Sequence, residues 1–440
     1  MSPSGHLTDS LGLPLSTASA AAAQCYERGV DAQLHAWPGA EAALLEALQH
    51  DPHFALAQAA LALVRQSQGR STEARQAIAA AGVTAAATSD RERAHITLLA
   101  HAIEGRPVQA LVAVMAHAER WPRDALALSI ALGAFGLLAF SGHADHDLQR
   151  LEFVRRIAPH YPADHVWMLT HQAWARIEAG AAAVTGSAGV ADEGLSLIER
   201  SLALRPANGN AAHVMAHARF ERDEPQAALD FIDAWLPSYP VEAVLYGHLN
   251  WHAALCEIDL GRTDAAVSRL LGVIEPHLQH ALPLVGMTDT SSLLWRLSLQ
   301  GRTGLSWARA QAYADQRFPQ GGSAFVEAHL AMLAAAQRDK AALGRCRERL
   351  QCSADAGHGG AAAALHWAEG LLAWCDGADG ADGADGASTA PANARAALDA
   401  SLAQAARLGG SHAQRTVIDR TRAASRLPSA AMPSGATPTR

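Results

Sequence analysis

Ile198-Glu199-Arg200-Ser201-Leu202-Ala203-Leu204, followed by Arg205-Pro206, decides the fold. The stretch reads as an amphipathic helix, and proline, which cannot donate to a continuing helix, marks its exit. Ala42-Ala43-Leu44-Leu45-Glu46-Ala47-Leu48 before Asp51-Pro52 has the same form, and Trp121-Pro122, Tyr161-Pro162 and Tyr239-Pro240 each close a similar stretch. Pro206 to Pro240 spans 34 residues, and Pro52 to Pro122 spans 70, about two such units. A period near 34 is the length of a tetratricopeptide-type pair of antiparallel helices. Runs of β-branched residues with period-two alternation are hard to find, so no sheet is expected. The expected fold is all-α, a right-handed α-solenoid of irregular tetratricopeptide-like helix pairs.

The same period organises the histidines. His213 and His217 form one His-x-x-x-His pair, His248 and His252 a second, and each member of the second lies 35 residues after its counterpart. A spacing of four puts both rings of a pair on one helical face. In stacked repeats the four rings would form a ladder, a candidate ligand-binding or metal-ligating site. Neutral imidazole suits zinc, iron, nickel or copper, and an i,i+4 pair can clamp one ion from one helix. Asp289, 37 residues past His252, could add a hard oxygen or orient a ring from behind. Three other readings stand beside the metal. With 22 His in the chain, pairs at spacing four also arise by chance, a polar ladder can bind a peptide or an organic anion through hydrogen bonds alone, and His213 and His252 could be interior residues bonded to backbone carbonyls. Trp251, between Asn250 and His252, suits a core position or a stacking one.

Composition excludes several classes. Half of the 440 residues are apolar and only 5% aromatic, which favours close helix packing through small side chains. A formal charge of −8 and no basic stripe interleaved with aromatics argue against nucleic acid. Basic charge is almost all Arg, with Lys340 the one lysine, so Schiff-base chemistry and a phosphate loop ending in Gly-Lys are not expected. Five Cys without a Cys-x-x-Cys pair fit free thiols in a reducing compartment, and the start of the chain lacks signal-peptide character, so a cytoplasmic location is expected. Ala125 to Gly142 carries no charge over 18 residues but is diluted by Ser129, Gly133 and Gly136, and reads as a buried helix rather than a membrane span.

Boundaries follow from punctuation. Residues 1–12 are expected to be a disordered N-terminus, 13–375 the helical-repeat solenoid, 376–390 a low-complexity Asp-Gly-Ala loop, 391–426 C-terminal helices packing on the solenoid, and 427–440 a disordered tail. Ala179 to Gly194, small and Gly-rich where the proline spacing swells, is expected to be an inserted loop. Ser89 with Glu92, and Ser411 with Gln414 after Gly409-Gly410, read as capping boxes, which explain Glu92 and Ser411 without catalysis. Glu327 and His329, two apart, fall on different helical faces.

A set of motifs runs in order along the chain: Leu13-Pro14-Leu15-Ser16-Thr17, Arg91-Glu92 with His95, and His213-Val214-Met215-Ala216-His217. It continues through His248 with Trp251-His252, Asp289 with Ser291-Ser292 and Arg296-Leu297, Phe325 with Ala328-His329, and Gly409-Gly410-Ser411 with Ala413-Gln414-Arg415. On these motifs the chain resembles the tetratricopeptide repeat protein 38 family from roughly residue 11 to residue 425. It implies an all-helical repeat protein and no particular activity. The chain departs from the family where members often carry Glu three residues beyond the second His of the first pair; Phe220 stands there, with Glu221 next.

The functional expectation is a helical-repeat binding or scaffold protein. Its candidate ligand-binding residues are His213, His217, His248, Trp251, His252, Asp289 and Arg415, in a polar pocket of the central groove. The ligand would be a peptide, a protein or a small polar molecule in the concave groove, with no nucleic acid and no membrane. The alternative is a metal-dependent hydrolase or oxidoreductase holding zinc or iron on His213, His217, His248, His252 and Asp289.

Overall fold

The Pro-punctuated stretches are helices. The computed structural model describes residues 7–182, 188–380 and 390–426, and among them there is no β-strand, only an isolated bridge between Thr8 and Pro14. In chain order the first helices are α1 (Ala20–Leu34), α2 (Ala40–His50), α3 (Ala55–Ser67), α4 (Ser71–Thr84), α5 (Asp90–Ile103) and α6 (Pro107–Arg120). Then come α7 (Ala125–Ser129), α8 (His146–Ile157), α9 (Val166–Ala182), α10 (Ala188–Leu204), α11 (Gly209–Glu221), α12 (Pro225–Trp235) and α13 (Tyr246–Asp259). A shorter set follows, α14 (Thr263–Arg269) and α15 (Glu275–His277), joined by a π-turn at Leu270–Ile274. The chain continues through α16 (Pro283–Leu299), α17 (Ala308–Arg317), α18 (Ala324–Ala336), α19 (Lys340–Asp355), α20 (Ala361–Gly380), α21 (Ala392–Ala403) and α22 (His412–Ala424).

These helices fall into two units. Unit 1 comprises Met1–Leu138, Asp147–Ala218 and Trp235–Tyr246; unit 2 comprises Ala139–His146, Arg219–Ala234 and Gly247–Arg440. In unit 1, α1 packs on α2, α3 on α4, α5 on α6, and α9 on α10. Connections this short return each helix antiparallel to its predecessor. Leu44, Phe54 and Tyr26 fill one cluster, Ile78, Ile96 and Leu99 a second, and Val114, Phe153 and Trp167 a third. In unit 2, α18 packs on α19, α19 on α20, and α20 on α21, while α16 meets α18 and α22. Close approach replaces bulk in both units. A Cβ on Gly29 would stand 2.7 Å from Leu44 across α1 and α2, and one on Gly370 would stand 2.9 Å from Leu398 across α20 and α21. Helices packed this tightly account for the low aromatic content.

Both capping boxes form: Ser89 Oγ accepts from Glu92 N while the Glu92 carboxylate accepts from Ser89 N, and Ser411 and Gln414 do the same for α22. Three expectations need correction. Ala125 to Gly142 is not one helix. α7 stops at Ser129, Gly133 turns at φ +80°, and Leu137 N bonds back to Ile130 O. No helix among the described residues is long and apolar enough to cross a membrane. The loop expected from Ala179 to Gly194 is largely helical, because α9 runs to Ala182 and α10 begins at Ala188. Alanine's helix preference outweighs the scattered glycines, and Gly194 lets α10 approach Ile177 of α9, where a Cβ would come within 2.8 Å. The Asp-Gly-Ala stretch starts as helix, since α20 runs through Asp376 to Gly380 and Lys340 Nζ holds Asp376 at 2.7 Å.

At the start of the described chain, Leu7 to Gly12 form a turn in which Asp9 Oδ1 accepts from Leu11 N and Leu13 N at 3.0 and 2.8 Å. Residues 1–6 and 427–440, which hold the rest of the expected disordered ends, lie outside the described residues, as does the rest of the expected loop, 381–389. The C-terminal helix packs on unit 2's own framework: Trp295 Nε1 donates to Thr421 Oγ1 at 2.8 Å.

Candidate functional site

Each unit contains a histidine pair, a tryptophan, an arginine over that tryptophan, and a buried carboxylate behind one imidazole. In unit 1 the helical spacing of α11 puts His213 and His217 on one face, with Nε2 to Nε2 at 3.0 Å. Trp174 of α9 stacks on His213 with centroids 5.6 Å apart and meets His217 edge-on at 4.7 Å. Glu178, one turn further along α9, brings Oε1 to 3.1 Å from His217 Nδ1. His217 is 0% exposed and Glu178 1%, so this charge contact is made in low dielectric. The Arg150 guanidinium of α8 lies 5.8 Å from the Trp174 ring.

Unit 2 repeats the composition. His248 and His252 on α13 meet edge-on at 4.8 Å, and Trp251 on the same helix lies parallel to His248 at 5.4 Å. Trp251 is fully buried and donates Nε1 to Ser292 Oγ at 3.2 Å, so it is both core and stacking platform. Asp289, on α16, brings Oδ2 to 2.7 Å from His248 Nδ1. Burial pushes the Asp289 carboxyl up, and His248 pulls it partly back. Arg296 lies 5.5 Å from the Trp251 ring and donates Nη2 to Ala413 O and Gln414 O at 2.9 and 3.2 Å, tying α16 to the first turn of α22.

His248, its Nδ1 hydrogen-bonded to the Asp289 carboxylate, can carry the ring proton there. Its Nε2 is left as an electron-pair donor, the tautomer that a metal ligand requires. Two Nε2 atoms 3.0 Å apart can share one proton. That separation is also the edge between neighbouring ligands at about 2.1 Å from one ion with an angle near 90°.

No family model matches the chain. Among solved structures it is similar to one described as "Structure of Naa15/Naa10 bound to HypK-THB", at 13% sequence identity and a TM-score of 0.24. The match covers 92% of this chain and 60% of that one, so this chain spans about 60% of the length of the protein it matches. A likeness of that size bears on neither ligand nor partner.

Unit 2 thus assembles His248, Trp251, His252 and Asp289 of the sequence-derived set, and unit 1 His213 and His217. Arg415 stands on α22, donates Nη1 to Gly410 O at 2.6 Å, and lines a small apolar cavity with Phe325, His329 and Trp367. Burial pushes His329 down to about 4, and its Nδ1 bonds to Phe325 O, so it is a neutral core histidine. Glu327, as its different face implied, pairs instead with Arg349 at 2.8 Å. Glu221 contacts His412 Nδ1 at 2.9 Å.

Sequence reasoning missed Glu178, Trp174 and Arg150, which reach the first His pair from other helices. It also missed a second buried polar centre in unit 1. Asp124 accepts from His95, His117 and Arg91 at 3.0, 3.0 and 2.9 Å. Burial alone would raise the Asp124 carboxyl, yet His95, His117 and Arg91 together hold it well below the usual range. Arg91 also donates to Pro14 O at 2.7 Å, and Glu92 accepts from Ser16 N at 2.8 Å, so this centre fastens the Leu13–Thr17 segment to α5.

Proposed function

We propose that the chain is a helical-repeat binding protein that takes up a transition-metal ion, zinc or iron, on its carboxylate-backed histidine pairs. The observation that supports this is a buried acid close to Nδ1 in both units: Asp289 is hydrogen-bonded to His248 at 2.7 Å, and Glu178 stands 3.1 Å from His217 as an ion pair without hydrogen-bond geometry. Ligating histidines are held this way, with the carboxylate fixing the tautomer and raising the basicity of Nε2. The 35-residue register supports the same reading, because it gives α11 and α13 equivalent pairs. It agrees too with the chain's resemblance to the tetratricopeptide repeat protein 38 family, which rests in part on both pairs and Asp289.

The test is elemental analysis of untagged protein purified without chelator, for wild type, His213→Ala/His217→Ala and His248→Ala/His252→Ala. Wild type is expected to carry at least about one equivalent of transition metal, and each variant less, with helicity kept. Metal-free wild type would sink the reading, and the pairs would then serve a peptide or organic anion through hydrogen bonds.

A further inference from the structure

Unit 1 buries a guanidinium whose best donors meet no acceptor. Arg150 is 1% exposed on α8. Its Nη1 donates to Asp147 Oδ1 at 2.6 Å, whereas Nε and Nη2 have no partner among the described residues. Nε–H and Nη2–H lie along one edge of the planar group and point the same way, the fork that takes both oxygens of a carboxylate. The protein uses this edge elsewhere: Arg349 gives Nε and Nη2 to the two oxygens of Glu327, both at 2.8 Å. Buried polar groups in folded proteins are as a rule satisfied, so an unspent fork at this depth calls for an acceptor that the described residues do not provide.

The surroundings supply the rest of a site. Trp174, whose ring lies under Arg150, is 2% exposed, and its Nε1–H also lacks an acceptor. The same ring touches His213 and His217. His171, one helical turn before Trp174 along α9 and with Nδ1 unpartnered, is pushed down to about 3 by burial and by Arg150, so it adds no charge. Asp147 already neutralises part of the Arg150 charge. The pair therefore favours a singly charged planar anion over a doubly charged phosphate.

We infer that Arg150 and Trp174 form a subsite for a small organic carboxylate. Arg150 takes the two oxygens side-on, and the Trp174 indole N–H donates to the same ligand. The inference rests on the metal reading only in making the adjacent imidazoles an ion's ligands; the carboxylate subsite stands on Arg150 and Trp174 alone.

The experiment uses the full chain, chelator-treated and with its tryptophans labelled with nitrogen-15. Acetate is titrated while the indole N–H signals are followed, Trp174→Phe assigning the relevant one, with inorganic phosphate as contrast. The Trp174 signal is expected to shift saturably with acetate, and phosphate to bind more weakly. Arg150→Lys keeps the charge but loses the fork, and should weaken acetate at least tenfold. Trp174→Phe keeps the ring but loses the donor, and should weaken it severalfold by calorimetry, a second route should Arg150→Lys not fold. A Trp174 signal indifferent to acetate overturns the inference, as does acetate affinity unchanged from wild type in both variants or tighter binding of phosphate at the same residues. Metal content is measured separately. Arg150-dependent acetate binding in a protein that never holds metal sinks only the metal reading, and metal without an acetate response sinks only this one.

Discussion

Asp289 Oδ2 lies 2.7 Å from His248 Nδ1, with both side chains almost sealed from solvent. A ring proton held on Nδ1 at that distance leaves the lone pair on Nε2. Asp289→Asn keeps the shape and a weaker acceptor but removes the charge that makes Nε2 basic. Retained metal affinity, read by chelator competition, should fall about 10–100-fold with little change in helicity. An unchanged affinity would leave Asp289 as a packing residue.

Asp124 is the counterpart for stability. Its carboxylate faces Arg91, His95 and His117, all buried, so Asp124→Asn takes the nearest counter-charge from a buried guanidinium. Removing one partner of a buried pair costs about 3–5 kcal/mol, to be read from urea unfolding. The pH dependence has a definite sign. The folded-state pKa is depressed, so the folded protein holds this proton less tightly than the unfolded chain. The stability it contributes is complete above the unfolded value near 4 and is lost as pH falls through the folded one. Asp124→Asn should therefore differ most from wild type at neutral pH and converge with it in acid. A constant difference from pH 7 downward would remove Asp124 as the cause.

Local signals carried most of what the sequence disclosed. Pro52, Pro122, Pro206 and Pro240 all follow helix ends, and the boxes at Ser89 and Ser411 both form, because capping and proline act within one turn of chain. The His pairs were visible for the same reason. What stayed hidden depends on distant contacts: Glu178 reaches His217 from another helix 39 residues earlier, and Asp124 gathers partners 33, 29 and 7 residues away. Ala179–Gly194 misled through composition, since glycine reads as loop unless a neighbouring helix needs the space.

Arg296 fastens α22. It gives Nη2 to Ala413 O, Gln414 O and Thr416 Oγ1, linking residues more than a hundred apart in sequence. Arg296→Met retains length and apolar bulk but none of these donors. Trypsin should then cut earlier at Arg415, Arg420 and Arg422, while unit 1 remains protected. Equal digestion of variant and wild type would show that the other contacts of α22, among them Trp295 with Thr421 and Glu221 with His412, hold it without Arg296.

The turn that delivers α22 makes the last prediction. Gly409 has φ +85° and ψ −166°, a region open to glycine and almost closed to other residues. A Cβ there would also stand 2.6 Å from Phe140 Cδ1 and 2.8 Å from Ala139 O. The backbone oxygen cannot swing aside as a side chain can, so strain and overlap add, and Gly409→Ala should cost about 2–4 kcal/mol. Gly105 separates the two effects: its φ is +75°, but nothing lies within 4 Å of its would-be Cβ. Gly105→Ala should therefore cost only the backbone strain, about 1 kcal/mol. Urea unfolding of the two variants measures the difference. If both cost the same, the contact with Phe140 and Ala139 relaxes freely and does not fix the start of α22.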